Sequence, residues 1–414
     1  MTSLRRLCQR HSSFDKCFAC GGGFPVSGCD TFPDVNIPQW PVYGEREVEL
    51  LREVLDSPQW GGFNEIVKRF ENAFAAFQQC ANCVTAANGT VTLEMALEAA
   101  GVQPGDEVIV PAISFISTAT AVSRLGAVPV FVDIEPYTFN MDPDRAEKAV
   151  SPRTKAIIPV HFGGPMADMD RLGELARRHN LVLIEDAAHA HGSEWNGTRA
   201  GNFGLCASFS FQNSKVMTAG EGGAITTNDA AFAGRAWSFA NQGRQPGGGW
   251  FHHYTLSTNL RLSAWQAAVL LAQLERLPEQ IELRARNARL LEAELAGVPG
   301  LRLQQAPPQV NRHSFYLLLG RIEKKEFGLT RDEFHQAMAA RQIPCTPFYP
   351  HPLYGNPLYR KLGCRVEPCP VSEACIEDSF WLPHRVLMGD QETTLAVAAA
   401  IRETAAAARK RHRL

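Results

Sequence analysis

SFSFQNSKVMTAGEGG, residues 208–223, alternates serine and phenylalanine as a strand does, reaches a single Lys215 and closes on a Gly-Glu-Gly-Gly bend. A lysine between a strand-like run and a glycine-rich turn is usually a solvated surface group. It is also where a fold would hold a reactive amine at the edge of a cofactor pocket. The segments on either side decide between the two.

Upstream, short apolar runs alternate with helical segments. VTAANGT is a strand ending in a turn, LEMALEAAGV a helix stopped by glycine, EVIVPA a buried strand and STATAVSRLG a helix. PVFVDI, KAIIPVHF and LVLIEDA are further strands, the last two separated by the helical DMDRLGELARRH; CASFSF and GGAITTN follow. Apolar strands of about four to six residues separated by helices predict an α/β fold, a mostly parallel seven-stranded sheet between two helical layers. Ligands bind such sheets at the carboxyl ends of the strands. Those ends are Asn88, Ser114–Phe115, His161, Asp186 and Ser210. Residues 262–295 read as a long helix broken near Pro278. From residue 296 the pattern resets into a smaller α+β domain, with strands LRLQQ and SFYLLLGRI and a last helix from Gln391. The expected organisation is an N-terminal extension over 1–36, disordered; a large cofactor-binding domain over 37–295; and a small domain over 296–414.

Composition bounds the function. At 414 residues the chain suits a large domain and a smaller one. A net charge of −2 gives no reason to expect nucleic acid or an anionic membrane as partner, and no apolar run approaches the roughly 18 residues of a membrane span. Of the 11 cysteines, Cys8, Cys17, Cys20 and Cys29 cluster near the start. Cys17 and Cys20 have a zinc-like spacing but lack a second such pair, so no metal is expected. The extension has no continuous apolar region of the secretory kind. The expected setting is cytoplasmic and thiol-reduced.

Four motifs carry chemistry. Asp186 ends an apolar strand, where a carboxylate is costly to bury unpartnered. A helix cap or a metal ligand is the ordinary reading. The alternative is a carboxylate that keeps a pyridine nitrogen protonated, so that the ring serves as an electron sink; His189, three residues on, would lie beside that ring. Asn88-Gly89-Thr90 opens a helix directly after a strand, a ready phosphate site through free N–H groups and the helix dipole, although Gly-Thr also starts ordinary helices. Ser210 offers a hydroxyl to the same phosphate. Phe115 is either a core aromatic or a ring stacker at a strand-end turn. Lys215, in a partly dry pocket, is then the amine that traps an aldehyde. An anion cradle, a ring stacker, an acid and a lysine at successive strand ends are the parts of a pyridoxal 5'-phosphate site.

These segments carry a resemblance. NGTVTLEMAL, PAISFISTATAV, GAVPVFVDI, PVHFGGPMADMD, IEDAAHAHGS, SFSFQNSKVMTAGEGGAI, TNLRLSAWQAA and HPLYGNPLYR resemble the DegT/StrS family of fold-type I aminotransferases over residues 37–414. DAAHAHG, FSFQNSK and NQGR look nearest the branch of amino-hydroxybenzoate synthase and the scyllo-inosose aminotransferases. The resemblance implies that Lys215 is the Schiff-base lysine, Asp186 the partner of the ring nitrogen and His189 the residue beside the ring. It implies that Phe115 stacks, that Gly89, Thr90 and Ser210 contact the phosphate, and that Asn259 reaches the phosphate of a neighbouring subunit. A homodimer with shared sites follows. So does transfer of an amino group from L-glutamate or L-glutamine to the ketone of a sugar, nucleotide-linked or not, or of a cyclitol. The alternatives are a synthase that dehydrates and aromatises an amino-dehydroshikimate, and a regulatory homologue without turnover. Two departures, Gln242 before Gly243 in place of histidine and Ser257 or Thr258 in place of glycine, lie near the expected substrate mouth and leave the acceptor open.

Overall fold

The computed structural model describes residues 35–412. The Cys17–Cys20 pair and residues 1–34 of the expected extension lie outside the described residues. Two helices, α1 (Glu45–Asp56) and α2 (Glu65–Phe77), precede the alternation. It then runs β1 (Asn82–Ala86), α3 (Gly89–Ala99), β2 (Glu107–Pro111), α4 (Ser117–Arg124), β3 (Val128–Val132), α5 (Pro143–Lys148), β4 (Thr154–Ile157), α6 (Met169–Arg178) and β5 (Val182–Asp186). A hairpin, β6 (Glu194–Trp195) and β7 (Thr198–Arg199), leads to β8 (Cys206–Ser210), β9 (Gly223–Thr227), α7 (Ala230–Ala240) and the long α8 (Ala264–Leu295). The remainder holds β10 (Leu301–Leu303), β11 (Val310–Arg312), β12 (Leu317–Ile322), α9 (Lys324–Phe327), α10 (Arg331–Ala340), β13 (Thr346–Pro347), β14 (Arg365–Val366), α11 (Pro370–Asp378), β15 (Ser379–Pro383) and α12 (Gln391–His412).

The main sheet has the order β1-β9-β8-β5-β4-β2-β3-β14. Only β9 runs against its neighbours; the other pairings among β8, β5, β4, β2, β3 and β14 are parallel. The α/β class is as expected, but the sheet has eight strands where seven were expected. The eighth is the two-residue β14, which pairs with the edge strand β3 and is too short to leave a periodic signal. Side chains alternate between two cores: Val108 and Val110 enter one, Ile109 the other. A third core joins the C-terminal half of α8 to β12 and α12, and β10-β12-β15-β13 form a separate antiparallel sheet. We keep Leu295/Ala296, the end of α8, as the proposed domain boundary.

The break expected at Pro278 does not occur. α8 is continuous for 32 residues with Pro278 inside it. An interior proline costs about 3 kcal/mol, and the flanking Leu274, Leu277 and Ile281 are buried, an apolar stripe whose burial offsets that cost. No helix among the described residues is long and apolar enough to cross a membrane.

Candidate active site

Because β9 is antiparallel, its first residue, Gly223, lies at the same sheet edge as the last residues of β1, β5 and β8. The Lys215 loop is the connection between β8 and β9. It leaves the sheet at Ser210 and returns at Gly223, so its lysine stays over the carboxyl ends of the strands.

The cradle is backbone. Asn88 caps α3, its Oδ1 accepting from the N–H groups of Thr90 (3.1 Å) and Val91 (3.0 Å). The Gly89 N–H and the helix dipole are left for an anion. A Cβ on Gly89 would lie 2.6 Å from Ser210 Cβ, and one on Gly223 would lie 2.5 Å from the Asn88 carbonyl. Both glycines are there because the chains pass too closely for a side chain. Gly89, Thr90 and Ser210, distant in sequence, thus meet at one point, with Thr90 Oγ1 2.7 Å from Ser117 Oγ.

Asp186 ends β5 and is buried. Its Oδ2 accepts from Thr118 Oγ1 at 2.8 Å and its Oδ1 from the Ala188 N–H at 3.3 Å. Burial raises its pKa above the ordinary aspartate value, opposed first by the Thr118 hydrogen bond and then by the Ala188 N–H and the nearby Lys215. It has no ion-pair partner among the described residues. The adjacent Glu185 instead ties the fold together, its carboxylate accepting from the N–H groups of Gly201 (2.9 Å), Phe203 (2.9 Å) and Gly204 (3.2 Å). His161 Nδ1 accepts from the Ala167 N–H, so its Nε2–H donates to Glu185 Oε2 at 3.1 Å. Of two neighbouring acids, one is saturated and the other is partly free.

His189 Nδ1 accepts from the Gly163 N–H at 3.2 Å, which puts the proton of a neutral ring on Nε2. Burial, followed by the charge of Lys215, pushes its pKa well below the ordinary histidine value. Its ring lies 4.3 Å from that of Tyr316, and Lys215 Nζ lies 4.3 Å from the centre of the same ring. Lys215 is 9% exposed and has no ion pair among the described residues. Its loop is braced from three sides: Tyr316 Oη to Ser214 Oγ (2.9 Å), His384 Nε2 to the Ser214 carbonyl (3.1 Å) and Trp40 Nε1–H to the Asn213 carbonyl (3.0 Å).

Phe115 and Asn259 stand apart. Phe115 follows β2 and is 59% exposed. Asn259 is exposed on a strand-like bridge with Asn241, its Oδ1 accepting from the Arg261 N–H at 3.3 Å. Thr118 and Tyr316 were not foreseen from the sequence. Thr118 left a trace in the hydroxyl-rich SFISTAT; Tyr316 lies in SFYLLLG, where nothing distinguishes it from a strand residue.

Pyridoxal 5'-phosphate fits this arrangement: a cradle that a Cβ would fill, a buried carboxylate without a cation, a buried amine without an acid, and an exposed aromatic ring. The model of the DegT/DnrJ/EryC1/StrS aminotransferase family matches residues 41–402. The chain belongs to that family. It is a pyridoxal phosphate-dependent aminotransferase of the α/β fold shared by the DegT/DnrJ/EryC1/StrS enzymes. A 3-amino-5-hydroxybenzoate synthase of Amycolatopsis mediterranei is 39% identical over 388 residues, 90% of this chain and 98% of the relative. An L-glutamine:2-deoxy-scyllo-inosose aminotransferase of Micromonospora echinospora is 36% identical over 401 residues, 90% of this chain and 94% of the relative. A crystal structure of 3-amino-5-hydroxybenzoic acid synthase superposes with a TM-score of 0.85 at 38% identity, covering 90% of this chain and 99% of that one.

Proposed function

We propose that the chain transfers an amino group from L-glutamine or L-glutamate to the ketone of a cyclitol or sugar, with Lys215 as the covalent attachment point and proton carrier. The observation that carries this reading is the meeting of Lys215, Asp186, His189 and the Gly89–Ser210 cradle at one sheet edge. Bound there, the cofactor supplies an electron sink that makes the Cα–H of an amino acid acidic. The residues do the rest. The α3 N-terminus, Thr90 and Ser210 hold the phosphate. Asp186, ionised, stabilises a proton on the ring nitrogen. His189 is kept neutral with Nε2–H as a donor. Phe115 supplies the stacking face. Lys215, as a free amine, would take the Cα proton as general base and, as its ammonium, would deliver it as general acid to the cofactor's aldehyde-derived carbon. The apolar wall of Tyr316 and Phe162 beside His189 limits water at the reacting atoms.

The same reading makes the enzyme a homodimer with shared sites. Trp60, Phe63, Phe115, Trp250, Phe251, Tyr254 and Leu256 are all exposed, Leu256 at 97%, and Asn259 lies three residues beyond Leu256. A second copy covering these rings would bring Asn259 to a neighbouring phosphate. The described cysteines are free thiols, in keeping with a reducing, cytoplasmic setting.

A second reading, supported by the 39% identity to the synthase, is aromatisation of an amino-dehydroshikimate. One experiment separates them. Protein converted to its amino form with L-glutamine is offered keto-cyclitols and keto-sugars with and without a nucleotide, and protein in its aldehyde form is offered amino-dehydroshikimate. Return of the aldehyde form on a ketone supports transamination, an aromatic product supports the synthase, and no response to any of them counts against both.

A further inference from the structure

Thr118 carries one hydroxyl proton, and its Oγ1 contacts Asp186 Oδ2 at 2.8 Å and Ser114 Oγ at 2.7 Å. An ionised carboxylate only accepts, so Thr118 donates to Asp186 and Ser114 in turn donates to Thr118. The result is a directional chain, Ser114 to Thr118 to Asp186, with all three side chains buried. The first two come from the β2–α4 turn and the first turn of α4, and the acid from the end of β5. The Thr118 bond is the single side-chain hydrogen bond on Asp186 among the described residues, and its partner groups lie 68 residues apart. The charged or titratable side chains near Asp186 are Lys215, His161 and Tyr349; none of these side chains hydrogen-bonds its carboxylate, which among the described residues accepts only from Thr118 and the Ala188 N–H.

We propose that Thr118, polarised by Ser114, is a positioning residue that sets how firmly Asp186 keeps its negative charge and hence where the proton shared with the cofactor's ring nitrogen resides. The inference rests on the functional reading above. Aligned hydroxyls polarise one another and a buried carboxylate depends on each donor it receives. The donor favours the charged acid over the neutral one. Without it, Asp186 becomes more basic and draws the shared proton toward itself, and the ring carries less positive charge. A Lys215 nitrogen joined to that ring then gives up its own proton at higher pH.

The test compares wild type, Thr118→Val, Thr118→Ser and Ser114→Ala, each reconstituted with pyridoxal 5'-phosphate. Its readout is the pH midpoint of the visible absorbance, with kcat and KM for L-glutamine measured alongside. Thr118→Val should raise the midpoint by about one pH unit, a tenfold change in proton affinity, and lower kcat about tenfold with KM little changed. Thr118→Ser keeps the donor and should restore the wild-type midpoint, while Ser114→Ala should shift it upward by a few tenths of a unit. A Thr118→Val protein that binds the cofactor and titrates as wild type does overturns the proposal. Where that variant does not fold, Ser114→Ala decides, and an unmoved midpoint overturns it equally. Wild-type protein that never develops the absorbance overturns the underlying functional reading instead, so the two failures are distinguishable.

Discussion

Tyr316 shows how much of the site one unassigned residue controls. Its ring forms the floor under Lys215 and the wall beside His189, and its hydroxyl ties the lysine loop through Ser214. Tyr316→Phe loses one hydrogen bond, about 1 kcal/mol, and should keep most of its turnover. Tyr316→Ala empties the ring volume, should cost roughly 3–5 kcal/mol in urea unfolding, and should lower kcat far more than the phenylalanine variant does. Equal kcat in both would contradict a role for the ring. Gly223→Ala meets backbone at 2.5 Å, which cannot move aside as a flexible side chain would, so cofactor affinity measured by titration should fall at least about tenfold (about 1.4 kcal/mol). Lys215, Asp186 and His189 were legible in the sequence because each sits at or just beyond the end of an apolar strand. Thr118 and Tyr316 were not, because their partners are 68 and 102 residues away and only the folded sheet brings them together.

At the scale of elements, the β–α alternation was readable from fully buried strands such as β2, whose largely apolar EVIVP announces cover on both faces. Two elements were not. β14 is held less by its own pattern than by Arg365, whose guanidinium pairs with the buried Glu107 at 2.7 Å. α8 persists through Pro278 because tertiary burial overrides local propensity. The exposed Pro278 should therefore be a removable defect: Pro278→Ala is expected to stabilise the protein by about 2 kcal/mol, the helix gain less the lost unfolded-state restriction. Urea midpoints test this; a lower midpoint would mean that the proline shapes the helix productively.

For the molecule as a whole, burial of histidines sets the acid limit. His189, His191 and His384 are buried, and desolvation holds all three below the ordinary value, His191 and His384 at about 3. The unfolded chain takes up these protons as pH falls below about 6.5 while the native chain does not. Their contribution is complete above that pH and is lost toward pH 3, at up to roughly 1.4 kcal/mol per pH unit for each. Cofactor-free protein should thus be weaker by several kcal/mol at about pH 5 than at about pH 7 in urea unfolding, and equal stability would contradict neutral burial. The proposed homodimer is testable at the exposed Phe251 and Leu256. Phe251→Asp combined with Leu256→Asp should leave a monomer by light scattering, with reduced turnover. The central claim is a covalent bond at Lys215, and borohydride reduction of the coloured holoenzyme followed by peptide mapping tests it most directly. The pyridoxyl group should be found on the peptide carrying Lys215 and nowhere else; its absence there, or its presence on another lysine, would contradict the account.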